Sequence, residues 1–355
     1  MLPIMHDEGA GGIGSPFRCE ELDTAEVLHG LGSPLVVCVN DPPWSRLSPF
    51  VPTPLAVVEA WNMDLLHLEH TVMALRAAHG PDALAAATVV GIGGGTALDT
   101  AKFVAWQLEL PLVQVPSITS VDACFTDAIG VRDGGTVRYV ANIVPQFVVL
   151  DLALVLSAPA HLNRAGIGDI LSCHTGLFDW RLASDAGHGA PWDDRLAALG
   201  TTLLDELEAV ADEVGAVTEA GVRWIADAYR RIGAACAWAG HSRFEEGSEH
   251  FWAYAYEHRT GAHPVHGEII ALAVCALAHV QGNDPERARA IVVRSKARTH
   301  PTDLVVAEAD FRACLAELSA FARESGLDVS VADLRPITER QIEAAWAFVS
   351  ALPLR

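Results

Sequence analysis

The sequence predicts a parallel α/β domain followed by an all-helical domain. Short β-branched runs alternate with helical patterns up to about residue 150, the signature of a parallel sheet with crossover helices. After Pro159 strand signals almost vanish, and long alanine- and leucine-rich helical patterns run to the end. A run of glycines between a strand and a helix falls in the first half. The boundary is expected near residue 155, giving domains 1–155 and 156–355.

In chain order, Leu35–Val39 reads as a buried strand ending at Asn40-Asp41-Pro42-Pro43. Leu55–Val58 is a second strand, Met63–His79 a helix, Thr88–Ile92 a strand and Ala97–Leu108 a helix. Leu112–Val115 is the next strand, followed by a polar loop through Asp122, and Phe147–Leu150 closes the region. In the second half, helices are expected over Asp194–Val214, Thr218–Trp238, Gly247–His258, His266–Val280, Pro285–Ala297, Glu308–Ser325 and Glu339–Phe348. The glycine-rich start, Glu8–Ser15, is expected to be a loop.

The glycine run is the most informative stretch. Val89-Val90 enters a segment holding Gly91, Gly93, Gly94 and Gly95, and a helix then opens with Thr96 as the expected cap. Without Cβ atoms, the backbone N–H groups can approach a ligand closely, and the helix N-terminus behind them favours an anion such as a pyrophosphate. A Rossmann-like domain is therefore expected, although Gly-x-Gly-x-x-Gly is not satisfied, because Leu98 stands where the third glycine would fall. The Gly-Lys-Ser/Thr ending of a phosphate-binding P-loop is missing too. Asp99 and Lys102, on the helix, distinguish the segment from an ordinary tight turn.

Composition narrows the function class. The chain has 355 residues, enough for two cores, and 24 basic against 45 acidic residues give a net charge of −21. That charge argues against nucleic-acid and anionic-membrane partners, though not against a small anionic ligand. Seven dispersed cysteines without a C-x-x-C pair read as reduced thiols. No secretory signal is visible in Met-Leu-Pro-Ile-Met-His-Asp-Glu, and the longest apolar run, Ile269 to Val280, reads as a buried helix too short to span a bilayer. A cytoplasmic protein is expected, and a homo-oligomer.

Three polar positions stand out in the helical half. Asp169 lies in an apolar segment where a lone carboxylate is costly to bury, and His266 opens a very apolar helix. With His250 they would give a divalent metal three protein ligands and leave positions open for a substrate oxygen, as catalytic sites do. His258 and His263 compete for the same part, and any one of 15 histidines is as readily a core or surface residue.

Gly-Gly-Gly-x-x-x-Asp-x-x-Lys at 93–102 resembles the superfamily of iron-containing alcohol dehydrogenases, glycerol dehydrogenases and dehydroquinate synthases. The loop Val115-Pro116-Ser117-Ile118-Thr119-Ser120-Val121-Asp122-Ala123 looks like its second nucleotide and substrate loop. Ala165-Gly166-Ile167-Gly168-Asp169, Thr175–Leu182, Ser242-Arg243, Gly247-Ser248-Glu249-His250 and Val265-His266-Gly267-Glu268 resemble one branch, the glycerol-1-phosphate dehydrogenases. The matches are colinear from about residue 35 to 280.

The resemblance implies the two-domain fold of dehydroquinate synthase, with Asp169, His250 and His266 binding one divalent metal. Zinc is expected there, and iron or nickel would also suit two imidazoles and a carboxylate. Gly93, Gly94 and Gly95 would meet the pyrophosphate of NAD or NADP, with Asp99 and Lys102 on the helix behind. Thr119 would line the nicotinamide, and Asp122 would reach substrate hydroxyls. Asp41 would accept from the adenine ribose, which favours NAD because a 2′-phosphate would be repelled. A turn residue before Pro42-Pro43 explains Asp41 equally well.

The implied reaction interconverts a secondary alcohol and a ketone on a small polyol, sn-glycerol-1-phosphate and dihydroxyacetone phosphate foremost. The two reactants would meet in a cleft between the domains. His258 and Tyr254 are candidates for the proton partner. Two other readings stand beside this one: a sugar-phosphate cyclase using NAD transiently, and a non-catalytic nucleotide-binding protein. The cyclases carry a glutamate as first metal ligand where this chain has Asp169, with a lysine nearby where it has Ser172-Cys173. The glycerol-1-phosphate branch usually carries Lys-Tyr where this chain has Cys173-His174, and a basic residue after the substrate loop, for which Arg138 is the candidate.

Overall fold

The structure, a computed structural model, describes residues 13–355, so most of the expected Glu8–Ser15 loop lies outside the described residues. The chain divides into two compact units, the first ending at Ala158 and the second running from Pro159 to Arg355.

The first unit is a six-stranded parallel sheet with a separate hairpin. Its strands are β1 (Cys19–Glu20), β2 (Leu35–Val39), β3 (Ala56–Glu59), β4 (Thr88–Gly93), β5 (Leu112–Pro116) and β8 (Phe147–Val149), in spatial order β1-β8-β5-β4-β2-β3. The hairpin is β6 (Ala128–Asp133) with β7 (Thr136–Asn142). The longer helices of this unit are α1 (Thr24–Gly30), α2 (Leu65–Ala85) and α3 (Gly95–Leu108).

Every residue of β2, β4 and β5 is buried, which is why these strands are almost wholly apolar and do not alternate; buried Gln114 of β5 donates to the Leu98 carbonyl. Their two faces feed two cores. Val36, Cys38 and Val89 pack with Leu68, Val72 and Phe103 of α2 and α3; Val37, Val39, Val90 and Ile92 pack with Leu28 and Leu154 on the other face. Asp64 caps α2 by accepting from the N–H groups of Leu66 and His67. The expected end of that helix at His79 coincides with a kink, where Gly80 takes φ 69° ahead of Pro81.

The structure differs from the sequence expectation in several places in this unit, beginning with β1 and α1, neither of which was expected. The helix after the glycine run begins at Gly95 and its N-cap is Gly94, so Thr96 is not the cap. A glycine takes the extended cap conformation readily and lets the helix start early. The β6–β7 hairpin was not expected from the sequence. It turns on Gly134 and Gly135, at φ 60° and 79°, the two-residue turn whose central residues both need positive φ.

The second unit contains α4 (Cys173–Asp185), α5 (Asp194–Ala216), α6 (Glu219–Ala239), α7 (Ser248–Thr260), α8 (His266–Gln281), α9 (Pro285–Arg294), α10 (Glu308–Glu324) and α11 (Glu339–Val349). Asp193, Thr218 and Thr338 cap α5, α6 and α11 with their side chains. Gly240, Gly261 and Gly282 end α6, α7 and α8 in the left-handed conformation. The apolar run from Ile269 onward makes α8 the central helix, buried on every side from Gly267 to Ala278 and packed against α7, α9 and α11. Among the described residues, no helix is long and apolar enough to cross a membrane.

Candidate functional site

In the first unit, the glycine run lies at the carboxyl ends of the strands. The chain runs from β2 outward to β3, then returns to the other side of β2 to form β4. The carboxyl ends of β2 and β4 therefore lie side by side where the strand order reverses, which is where open α/β sheets take ligands. The glycine run leaves β4 at this point.

Asn40, directly after β2, ties the feature together. Its side-chain oxygen accepts from Gly94 N at 3.3 Å and its amide donates to the carbonyl of Ala60, which follows β3. Gly93 cannot be replaced, because it sits at φ 152° and an added Cβ would lie 2.5 Å from Asn40 Oδ1. The other glycines have a reason that differs from ligand approach. A Cβ on Gly94 would lie 2.9 Å from Ile118 Cδ1, and one on Gly95 would lie 2.8 Å from Val121 Cγ1. Their lack of side chains lets the loop after β5 close over the turn. Since Gly94 N is committed to Asn40, the donors presented to an anion are the first-turn N–H groups of Gly95 and Thr96, which have no acceptor a turn back in the helix.

Asp41 is exposed, with Oδ1 accepting from both Ser45 N (3.0 Å) and Ser45 Oγ (2.6 Å); these bonds hold its carboxyl below the usual range. Lys102 is fully buried. Its ammonium contacts Asp99 at 2.9 Å and donates to the Ala128 carbonyl at 3.0 Å, bracing α3 against β6. Thr119 is buried in the loop after β5, and Asp122 precedes the short turn Ala123–Phe125. Arg138 lies on β7, exposed, and pairs with Asp133 across the hairpin at 3.0 Å.

In the second unit, Asp169, His250 and His266 come together. One ligand atom from each lies within 4.8 Å of the others. His266 Nε2 is 3.2 Å from Asp169 Oδ1, and His250 Nε2 is 3.9 Å from the same oxygen. Ligands at ~2.1 Å from a tetrahedral ion stand roughly 3.4 Å apart, so the spacing suits a divalent metal. Asp169 belongs to the short helix Gly168–Leu171, His250 to the first turn of α7, and His266 opens α8. Asp169 and His250 are buried, whereas the His266 side chain is 29% exposed, so the set is reachable from one side.

Carboxylates stand behind the trio. His250 Nδ1 lies 2.9 Å from Glu249 Oε1, an oxygen that also accepts from Gly247 N at 2.6 Å. Burial opposes a charged His250, but the hydrogen bond to Glu249 and the charges of Glu249, Glu246 and Glu245 outweigh it and push the imidazole up to about 10. The same field favours a metal cation. Asp179, fully buried, accepts from Ser248 N (2.8 Å) and Val331 N (2.7 Å); burial and then the charge of Glu249 raise it to about 6.

The competing histidines lie elsewhere. His263 is exposed, 3.8 Å from Glu257, and the His258 ring packs on Phe321. Tyr254 donates to Glu246 at 2.9 Å, with its ring 6.1 Å from that of His250. Sequence reasoning missed the parts of Asn40 and Glu249. Each had a signal: an amide directly after a buried strand, and a carboxylate directly before a candidate ligand.

Residues 52–159 match the family model for iron-containing alcohol dehydrogenases. The glycerol-1-phosphate dehydrogenase (NAD(P)+) of Methanococcoides burtonii is 32% identical over 195 residues, which is 55% of this chain and 54% of that protein. The enzyme of the same name from Sulfolobus acidocaldarius is 31% identical over 202 residues, covering 57% of each. The chain thus spans little more than half the length of these relatives. Among solved structures, a probable glycerol dehydrogenase from Sinorhizobium meliloti superposes over 92% of this chain and 93% of its own, with a TM-score of 0.69 at 21% identity. A sulfoacetaldehyde reductase from Bifidobacterium kashiwanohense covers 96% and 98% with a TM-score of 0.64 at 16% identity. At such identities the structures speak for the fold alone. The chain thus shares its fold with a probable glycerol dehydrogenase, matches the iron-containing alcohol dehydrogenase model over residues 52–159, and is similar to glycerol-1-phosphate dehydrogenases over little more than half its length.

Proposed function

We propose that this chain is a metal-dependent, NAD(P)-linked oxidoreductase that interconverts a secondary alcohol and a ketone on a small polyol phosphate, sn-glycerol-1-phosphate and dihydroxyacetone phosphate being the pair. The observation that carries the reading is the Asp169, His250 and His266 donor set, gathered within 4.8 Å in a chain related to glycerol-1-phosphate dehydrogenases. One carboxylate and two imidazoles are a donor set for zinc, iron or nickel, and zinc is the metal assigned here. When bound, the metal supplies Lewis acidity to the substrate oxygen and the nicotinamide exchanges hydride with the adjacent carbon.

The chain's own residues bind and orient. Asp169 and His250 hold the buried side of the donor set, and His266 stands on the accessible side. Among the described residues the set offers three protein ligands, which leaves room for a substrate oxygen. The N–H groups of Gly95 and Thr96 are assigned to the pyrophosphate. Asp41, whose recorded bonds fall on Oδ1, is assigned to the adenine ribose through Oδ2, and its charge favours NAD over NADP. Thr119 is assigned to the nicotinamide and Asp122 to the substrate hydroxyls. Lys102 and Asp99 support α3 from behind.

The test is an absorbance assay of zinc-loaded protein with NADH and either dihydroxyacetone phosphate or dihydroxyacetone. Oxidation of NADH with the phosphorylated ketone is expected. No consumption with either ketone would overturn the reading; consumption with dihydroxyacetone alone would overturn its phosphate.

A further inference from the structure

Glu249 is completely buried, as is the structure around it, and a carboxylate there is costly unless its oxygens are well used. Oε1 meets two groups, Gly247 N at 2.6 Å and His250 Nδ1 at 2.9 Å. A carboxylate beside a ring nitrogen admits only one productive arrangement: the nitrogen keeps its proton and donates it. In the neutral ring, the form that can ligate a metal, the lone pair is then confined to Nε2, the atom facing Asp169 Oδ1 at 3.9 Å. The backbone around this pair is pinned as well. Gly247 sits between two carboxylates, since an added Cβ would be 2.8 Å from Asp179 Oδ2 and 3.1 Å from Glu249 Oε2. Asp179 holds the next residue through Ser248 N.

We infer that Glu249 is a positioning residue for the metal: its charged oxygen locks His250 with Nδ1 protonated and raises the donor strength of Nε2. The inference rests on the metal-site reading above. An electron-rich outer partner strengthens a histidine ligand, and removing one typically weakens metal binding by about 10- to 100-fold.

The variant Glu249→Gln separates this part from simple packing. A glutamine oxygen in the place of Oε1 still accepts from Gly247 N and His250 Nδ1, but the charge is gone. Zinc affinity is measured on the full chain by competition with a chromophoric chelator, alongside the visible d–d spectrum of the cobalt-loaded protein. Glu249→Gln should fold as the parent does, bind zinc about tenfold more weakly and shift the cobalt bands; Glu249→Ala should lose about 100-fold. Parent-like zinc affinity and an unchanged cobalt spectrum in Glu249→Gln would overturn the inference even if Glu249→Ala fails to fold. A parent protein that binds no zinc would overturn the metal-site reading itself, and this inference with it.

Discussion

Gly168 and Gly267 meet backbone to backbone: a Cβ on Gly168 would lie 2.5 Å from the carbonyl oxygen of Gly267 and closer still to its Cα. Their chain neighbours are the proposed ligands Asp169 and His266, whose side chains stand 3.2 Å apart. Two residues without side chains thus let two helical segments approach far enough to bring a carboxylate and an imidazole within this distance. Gly168→Ala should separate them, since backbone cannot yield as a flexible side chain can. We expect a loss of about 3 kcal/mol in stability and weaker zinc binding. Denaturant unfolding and chelator competition check this; parent-like values in both would mean that the contact does not set the ligand spacing.

Single-ligand variants give a cleaner separation of the histidines. Asp169→Ala and His266→Ala should purify without bound metal. His263→Ala, at an exposed position outside the trio, should keep the parent's metal content. Elemental analysis distinguishes them, and metal loss on changing His263 would show the ligand assignment to be wrong.

At the carboxyl ends of the strands, Asn40 joins Gly94 to Ala60. Asn40→Ala leaves Gly94 N without this acceptor and loosens the turn that presents Gly95 and Thr96. The cost of such an unmet donor corresponds to roughly tenfold in NADH affinity. Fluorescence titration with NADH measures it. An unchanged dissociation constant would dissociate Asn40 from the cofactor.

Much of this was legible in the sequence, and the exceptions have physical reasons. β2, β4 and β5 were readable because strands buried on both faces are nearly continuous apolar runs, interrupted in β5 by Gln114. β6 and β7 are half-exposed and carry Arg132 and Arg138, which dilute that signal, although Asp133-Gly134-Gly135 marks a hairpin turn. The trio was reached through resemblance, because Asp169, His250 and His266 lie on three separate segments and spacing could not choose among the histidines. Asn40 acts through the adjacency of β2 and β4, a fact of strand order that no local pattern carries. Lys102 is read from the sequence as a residue near the cofactor; its burial makes it a brace.

Asp179 gives the fold a pH dependence of known sign. Its folded-state pKa, raised by burial and then by Glu249 to about 6, lies above the ordinary carboxylate value. The folded state therefore holds the proton more tightly, and the contribution is complete below pH ~4 and lost as pH rises through about 6. Asp179→Asn cannot ionise, but its amide nitrogen cannot accept from both Ser248 N and Val331 N. The variant should be less stable than the parent at pH ~4, with the gap narrowing by roughly 3 kcal/mol toward neutral pH. Unfolding titrations at several pH values measure the gap, and a gap that widens with pH would contradict the sign.

Whether Asp169, His250 and His266 hold one divalent metal required for NAD(P)-linked turnover is tested by stripping the protein with a chelator, restoring zinc in equimolar amount, and following NADH absorbance with dihydroxyacetone phosphate. No turnover is expected in the stripped protein, with recovery on zinc in the parent and no recovery in Asp169→Ala. Turnover by the stripped parent at the loaded rate, or full recovery in Asp169→Ala, would contradict the reading.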